Sequence, residues 1–115
     1  RPLVSTEMIN RCFEEAGIHG TAIPAVTIPD SIRSLAAGTT RAEDRSRYIA
    51  VQTPQCFRAE YIAKAYTGTG RPEFTDDASV LEAAGIQLRF TEGERWNIKI
   101  TFPEDLKVAE ALLQQ

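Results

Sequence analysis

The chain has 115 residues, 43% hydrophobic and 25% charged, with 13 basic against 16 acidic side chains and a net charge of −3. That apolar fraction, near the ~45–50% of folded domains, describes one globular unit rather than a disordered chain, and no apolar run approaches the ~18–20 residues that cross a bilayer. The acidic balance excludes the dense basic field that broad nucleic-acid or anionic-membrane binding needs, so a bound anion must be held by a few focused groups.

The chain opens at Arg1-Pro2 without a methionine and reaches a helical pattern within a few residues, so a preceding half is expected. Met8, Ile9, Cys12, Phe13 and Ala16 form a helical stripe, with Ser5 or Thr6 as N-cap and Gly17 as the stop. Residues 21–28 read as a buried strand that Pro24 moves toward an edge or a bulge. Residues 29–48 are polar and carry a Gly38-Thr39-Thr40 turn, the pattern of a β-hairpin arm projecting from the body. Residues 48–52 re-enter the core as a strand, which Pro54 ends. Phe57, Tyr61, Ile62, Ala65 and Tyr66 mark a second helix, stopped by Gly68-Thr69-Gly70. Thr75 caps a third, with Asp76 and Asp77 in its first turn and Gly85 at its end. Residues 86–90 and 96–100 read as strands around a Glu92-Gly93-Glu94 turn. A capping box from Thr101 to Glu104, with an early Pro103, opens a closing helix lined by Leu106, Ala109, Leu112 and Leu113. Strands alternating with helices predict an α/β sheet in a single unit, residues 1–115, with the arm inserted.

The chemistry-bearing residues are sparse. Cys12 and Cys56 have neither CxxC nor Cys/His spacing and read as buried thiols of a reducing compartment. The single histidine, His19, reads as a solvated loop residue, and one histidine with two scattered cysteines does not make a zinc site. Neither GxGxxG nor GxxxxGK[ST] occurs. Four polar clusters interrupt apolar segments: Asp44-Arg45, Thr53-Pro54-Gln55, Thr75-Asp76-Asp77 and Asn97-Ile98-Lys99. Singly, each has an ordinary structural reading. Jointly they offer two hydroxyls, a helix N-terminus, a lysine and an arginine, the usual parts of a phosphate monoester site, provided the strands bearing Thr53 and Lys99 end on one sheet edge.

The series RPLVS, DSIRS, EDRSRYIAVQTPQCF, FTDDASVLEAAG, EGERWNIKIT and FPEDLKVAEALL resembles the C-terminal half of the 2-C-methyl-D-erythritol 4-phosphate cytidylyltransferase family, in order and over essentially the whole chain. The resemblance implies a Rossmann-like nucleotidyltransferase sheet with a dimerisation arm, in a cytoplasmic homodimer that makes CDP-methylerythritol from CTP with magnesium. Arg1 matches the arginine of the family's DAARP motif, whose metal-binding aspartate would precede this chain. Ser31 falls where the family has threonine, on the arm, contacting the neighbour's substrate phosphate. Arg45 matches the arm arginine that positions the polyol phosphate across the dimer. Thr53, Thr75 and Lys99 match groups that hold the same substrate, with Lys99 orienting its phosphate. The glycine-rich CTP loop belongs to the other half, and the chain alone is expected to be inactive. Two rivals are a ribitol 5-phosphate cytidylyltransferase and a non-catalytic dimerisation or ligand-binding module.

Overall fold

The computed structural model describes residues 1–67 and 74–114. The first helix, α1 (Thr6–His19), starts where Ser5 Oγ accepts the Met8 amide at 3.0 Å. It runs through Gly17, the expected stop, and ends at Gly20 instead, whose φ of 91° suits a left-handed C-cap that only glycine adopts freely. A Cβ at Gly20 would also collide with the Tyr61 ring, so packing as well as φ selects this glycine. Met8, Cys12 and Ala16 form the buried face of α1.

The strand β1 (Thr21–Thr27) is the hub of the fold rather than an edge. It pairs antiparallel with β4 (Ile49–Val51) and β5 (Cys56–Phe57), and parallel with β6 (Phe90–Glu92), giving a mixed four-stranded sheet. Pro24 is tolerated because of where its missing N–H falls. Its carbonyl accepts from Gln52 N at 2.8 Å, so its nitrogen faces the same segment, where the partner strand is interrupted between β4 and β5. The Gln52 carbonyl, left without that donor, accepts from Gln55 Nε2 at 3.4 Å. The Thr53–Pro54 bond inside the interruption is cis.

Neighbouring residues of a strand face opposite sides, and β5 shows what each side holds. Cys56 packs with Met8, Cys12, Ala16 and Ala22 under α1. Phe57 packs with Ala65, Val80 and Leu81 under α2 (Ala59–Tyr66) and α3 (Asp77–Ala83). The expected stop of α2 at Gly68-Thr69-Gly70 lies outside the described residues. Cys12 and Cys56 are buried free thiols, and burial raises the pKa of both.

Several local expectations change. Asp76, not Thr75, caps α3, accepting the Ser79 amide at 2.9 Å, and Gly85 (φ 85°) follows the helix end as expected. Residues 96–100 form no strand. The Asn97 amide donates to Glu94 O and the Ile98 amide to Trp96 O, so the backbone turns instead of laddering. Most of 86–89 is also off the ladder and is tied to β1 through Thr21, whose hydroxyl donates to Gln87 O and accepts the Arg89 amide at 2.8 Å. His19 ends α1 rather than sitting in a loop, 3.3 Å from Glu15. The helix α4 (Pro103–Leu113) is opened by the Asp105 carboxylate, which accepts the Thr101 and Phe102 amides at 2.9 Å, so the box partner is Asp105 and not Glu104. Of the expected stripe only Ala109 is buried; Leu106 and Leu113 are exposed.

Residues 32–43 do form a hairpin, β2 (Ile32–Ala36) with β3 (Thr39–Glu43), in a two-stranded sheet of its own. Its turn is Ala37-Gly38, one residue earlier than expected, with φ of 49° and 80°, as a two-residue hairpin loop requires. Leu35 on it is 84% exposed. The arm explains a radius of gyration of 16.2 Å, against about 13 Å for a compact chain of this length. Strand β4 returns from the arm along an exposed sheet edge rather than into the core: Ile49 and Val51 are both exposed.

Gly93 follows β6 with its amide on Ala25 O at 2.8 Å. A Cβ there would lie 2.6 Å from Gln52 Oε1 and 3.1 Å from Ala25 O. Gly93→Ala should therefore cost about 1–3 kcal/mol, read as a lower denaturant midpoint with unchanged slope.

Candidate functional site

A cavity of about 430 Å³ opens beside the interruption between β4 and β5. Arg1, Thr53, Thr75 and Lys99 all line it, together with Gln55 and Asp76. Four of the six residues singled out in the sequence thus share one cavity although they span the chain. Ser31 and Arg45 do not join them: both are exposed on the arm segment, where Arg45 Nη1 donates to Pro29 O at 2.5 Å.

Arg1, Thr53 and Lys99 are placed by traceable local causes. Arg1 is held by two backbone carbonyls, Nη1 on Asn97 O at 2.5 Å and Nη2 on Val51 O at 3.4 Å, and its partial burial lowers its pKa. Thr53 follows the last β4-side contact with β1, and its carbonyl is taken by Asn97 Nδ2 at 2.9 Å. Lys99 sits two residues beyond Asn97 in the irregular segment. It is exposed, so the premise of a lysine inside an apolar strand does not hold, and its ammonium has no hydrogen-bond or ion-pair partner among the described residues.

Two amides at the N-terminus of α3 are already committed within the protein. The Ser79 amide is used by Asp76 and the Ala78 amide by Gln55 Oε1 at 3.2 Å. Asp76 also accepts from Gln55 Nε2 at 3.0 Å and from Ser79 Oγ at 2.5 Å. Burial alone would raise its pKa, but the bonds from the Ser79 hydroxyl, Gln55 and the Ser79 amide together outweigh this and hold the carboxyl below its ordinary value. The sequence reading missed Gln52 and the cap role of Asp76, and it gave Gln55 no part beyond membership of a polar cluster. Both glutamines are neutral amides that carry no charge pattern, and Asp76 was visible only as an acidic residue in the first turn beside Thr75.

Magnesium does not fit the residues present. Among the described residues Asp76 is the one carboxylate lining this cavity, and both its oxygens already accept hydrogen bonds. Among the described residues no three of His, Cys, Asp and Glu gather into a metal-binding group. Among the same residues no helix is long and apolar enough to cross a membrane.

The mixed sheet with its flanking helices matches the fold of solved cytidylyltransferase structures. The crystal structure of 2-C-methyl-D-erythritol 4-phosphate cytidylyltransferase from Thermus thermophilus matches with a TM-score of 0.87 at 35% identity, over 100% of this chain and 58% of that one. That of 4-diphosphocytidyl-2C-methyl-D-erythritol synthase from Anaerococcus prevotii matches with a TM-score of 0.88 at 26% identity, over 100% and 53%. The sequence profile of the 2-C-methyl-D-erythritol 4-phosphate cytidylyltransferase family matches residues 1–115, and the chain belongs to that family. Curated relatives of that name from Bacteroides fragilis and Bacteroides thetaiotaomicron are 48% and 46% identical, each over 98% of this chain and 52% of the relative. The chain therefore spans about half the length of these relatives.

The Asp76 cap gives a pH-dependent prediction. A carboxyl whose pKa is lowered by folding stabilises above its unfolded value, about 3.9, and that stabilisation is lost as pH falls through the lower folded value. Asp76→Ala should cost about 1–2 kcal/mol at pH 7. The gap from wild type in denaturant unfolding should narrow below pH 4.

Proposed function

We propose that this chain forms the acceptor-binding half of a cytoplasmic cytidylyltransferase that transfers CMP from CTP to 2-C-methyl-D-erythritol 4-phosphate. The observation that carries the reading is the convergence of Arg1, Thr53, Thr75 and Lys99 on one cavity. Two cations and two hydroxyls suit the oxygens of a phosphate monoester, and Lys99 has an ammonium without a protein partner among the described residues. Family membership supports 2-C-methyl-D-erythritol 4-phosphate as the acceptor.

The chemistry asks little else of these residues. An oxygen of the acceptor phosphate attacks the α-phosphorus of CTP in line, a new P–O bond forms, the bond to the β-phosphate oxygen breaks, and pyrophosphate leaves. The attacking oxygen is already anionic, so no general base is required, in keeping with a cavity whose carboxylate is fully engaged. Lys99 holds the acceptor phosphate in the line of attack and offsets its charge as it meets the triphosphate. Positioning and electrostatics supply the rate.

In the enzyme containing this chain, Lys99→Met should lower kcat/KM for the polyol phosphate by roughly 10²–10³-fold, with little change in unfolding midpoint. Turnover at the wild-type level would defeat the assignment. Measuring the same enzyme with ribitol 5-phosphate tests the acceptor, and faster turnover there would replace it.

The arm supports a homodimer. Leu35 and Tyr48 are exposed on the arm segment, and an isolated two-stranded hairpin is marginal in water, so pairing with a second copy would bury both symmetrically. In that dimer Ser31 and Arg45 serve the neighbour's cavity, which explains why neither lines its own. An Arg45→Ala subunit then keeps a sound cavity and a Lys99→Met subunit keeps a sound arm. Mixed heterodimers of these inactive variants should recover one working site, at most about half the wild-type activity. No recovery would show that Arg45 serves its own subunit.

A further inference from the structure

Asn97 does not line the cavity, yet three of the residues that do are tied to it. Its side chain is fully buried. Nδ2 donates to Thr53 O at 2.9 Å and to Gln52 Oε1 at 3.2 Å. Its backbone carbonyl accepts Arg1 Nη1 at 2.5 Å, and its amide donates to Glu94 O at 3.0 Å, closing the turn that leads to Lys99. One residue thereby links Arg1, Thr53 and Lys99, which come from the chain start, the β4–β5 interruption and the segment before α4.

The direction of the amide is fixed by its neighbours. Gln52 Oε1 already accepts the Glu94 amide at 3.1 Å, and Gln52 Nε2 donates to Glu94 O at 2.8 Å. Gln52 therefore presents an acceptor to Asn97, as does the Thr53 carbonyl, and only an NH₂ group can satisfy both at once. Asn97 Oδ1 is buried and has no hydrogen-bond partner among the described residues, so the side chain's hold on the site runs through Nδ2.

We propose that Asn97 is a positioning residue of the acceptor site: its buried amide sets Thr53, and its backbone sets Arg1 and Lys99, in the geometry that receives the acceptor phosphate. This rests on the cytidylyltransferase reading above. It assigns the specificity for the phosphate-bearing acceptor, and not for CTP, to a residue that touches neither substrate.

The test uses the whole enzyme and steady-state kinetics with each substrate varied in turn. Asn97→Asp keeps shape but sets a carboxylate oxygen against two acceptors, while Asn97→Ser retains one donor. Expected is a roughly 10- to 100-fold rise in KM for 2-C-methyl-D-erythritol 4-phosphate in N97D, a smaller rise in N97S, and a KM for CTP within about twofold of wild type in both. Equal shifts in both KM values, or no shift in the acceptor KM, would overturn the proposal. Should N97D fail to fold, N97S is judged by the same split, and if neither folds the role is purely structural and the proposal falls. A wild-type enzyme that releases no pyrophosphate from CTP with this acceptor defeats the functional reading itself, which separates the two failures.

Discussion

A proline in the strand that three others pair with leaves one ladder position without a donor, and much of the architecture follows from where that position lies. Pro24 faces residue 52, so the antiparallel partner of β1 cannot run unbroken from Ile49 to Phe57. The chain between β4 and β5 leaves the ladder there, and its polar groups need other partners. Gln55 takes the Gln52 carbonyl and reaches on to Asp76 at the head of α3; Asn97 takes the Thr53 carbonyl. The cavity lies against this interruption, which is why that wall carries a threonine and two glutamines and no core residue. A regular strand in the same place would have spent those backbone groups on β1.

The electrostatics follow from the same division of labour. Most hydrogen-bonding groups around the interruption are satisfied internally: Gln52 by Glu94, Asp76 by Ser79 and Gln55, and the Ala78 and Ser79 amides by Gln55 and Asp76. What is left to meet a ligand is Lys99, the hydroxyls of Thr53 and Thr75, and the face of Arg1 beyond its two carbonyl bonds. A rigid cradle with a few unpaired donors suits a reaction whose nucleophile is already charged, since its barrier lies in bringing two anionic groups together in line rather than in moving a proton.

Much of this was legible in the sequence, and the misreadings have identifiable causes. The helix starts at Ser5 and near Pro103, the hairpin and the Gly85 stop follow from local chemistry that tertiary packing does not override. Gly17 and Gly20 are both plausible stops by composition; the choice is made by the positive φ and by the Tyr61 ring over Gly20, neither of which is local. Residues 96–100 alternate polar and apolar as a strand would, but Asn97 is the buried member and its amide is committed to Thr53, so the alternation reports a tertiary anchor instead of a pleat. Thr53, Thr75 and Lys99 were separable only as members of three ordinary polar clusters, and Arg1 only through the family resemblance. Their convergence depends on the register of β4 and β5 against β1, which sequence periodicity does not contain.

The proposed site is mechanically uneven, and this bears on how catalysis would be divided. Arg1, Thr53 and Lys99 hang on a buried network of amides and backbone carbonyls; Ser31 and Arg45 ride on a segment whose strands form a two-stranded sheet of their own and whose Arg45 is anchored by one carbonyl. Ordering an exposed arginine costs side-chain entropy, of order 1–2 kcal/mol, at each binding event unless a second surface has already ordered it. A dimer interface supplies that surface once, at assembly, and the cost then falls outside the catalytic cycle. On this reading a shared site is favoured because the arm of a separate subunit arrives on the acceptor already braced, while the buried half stays fixed by its own core.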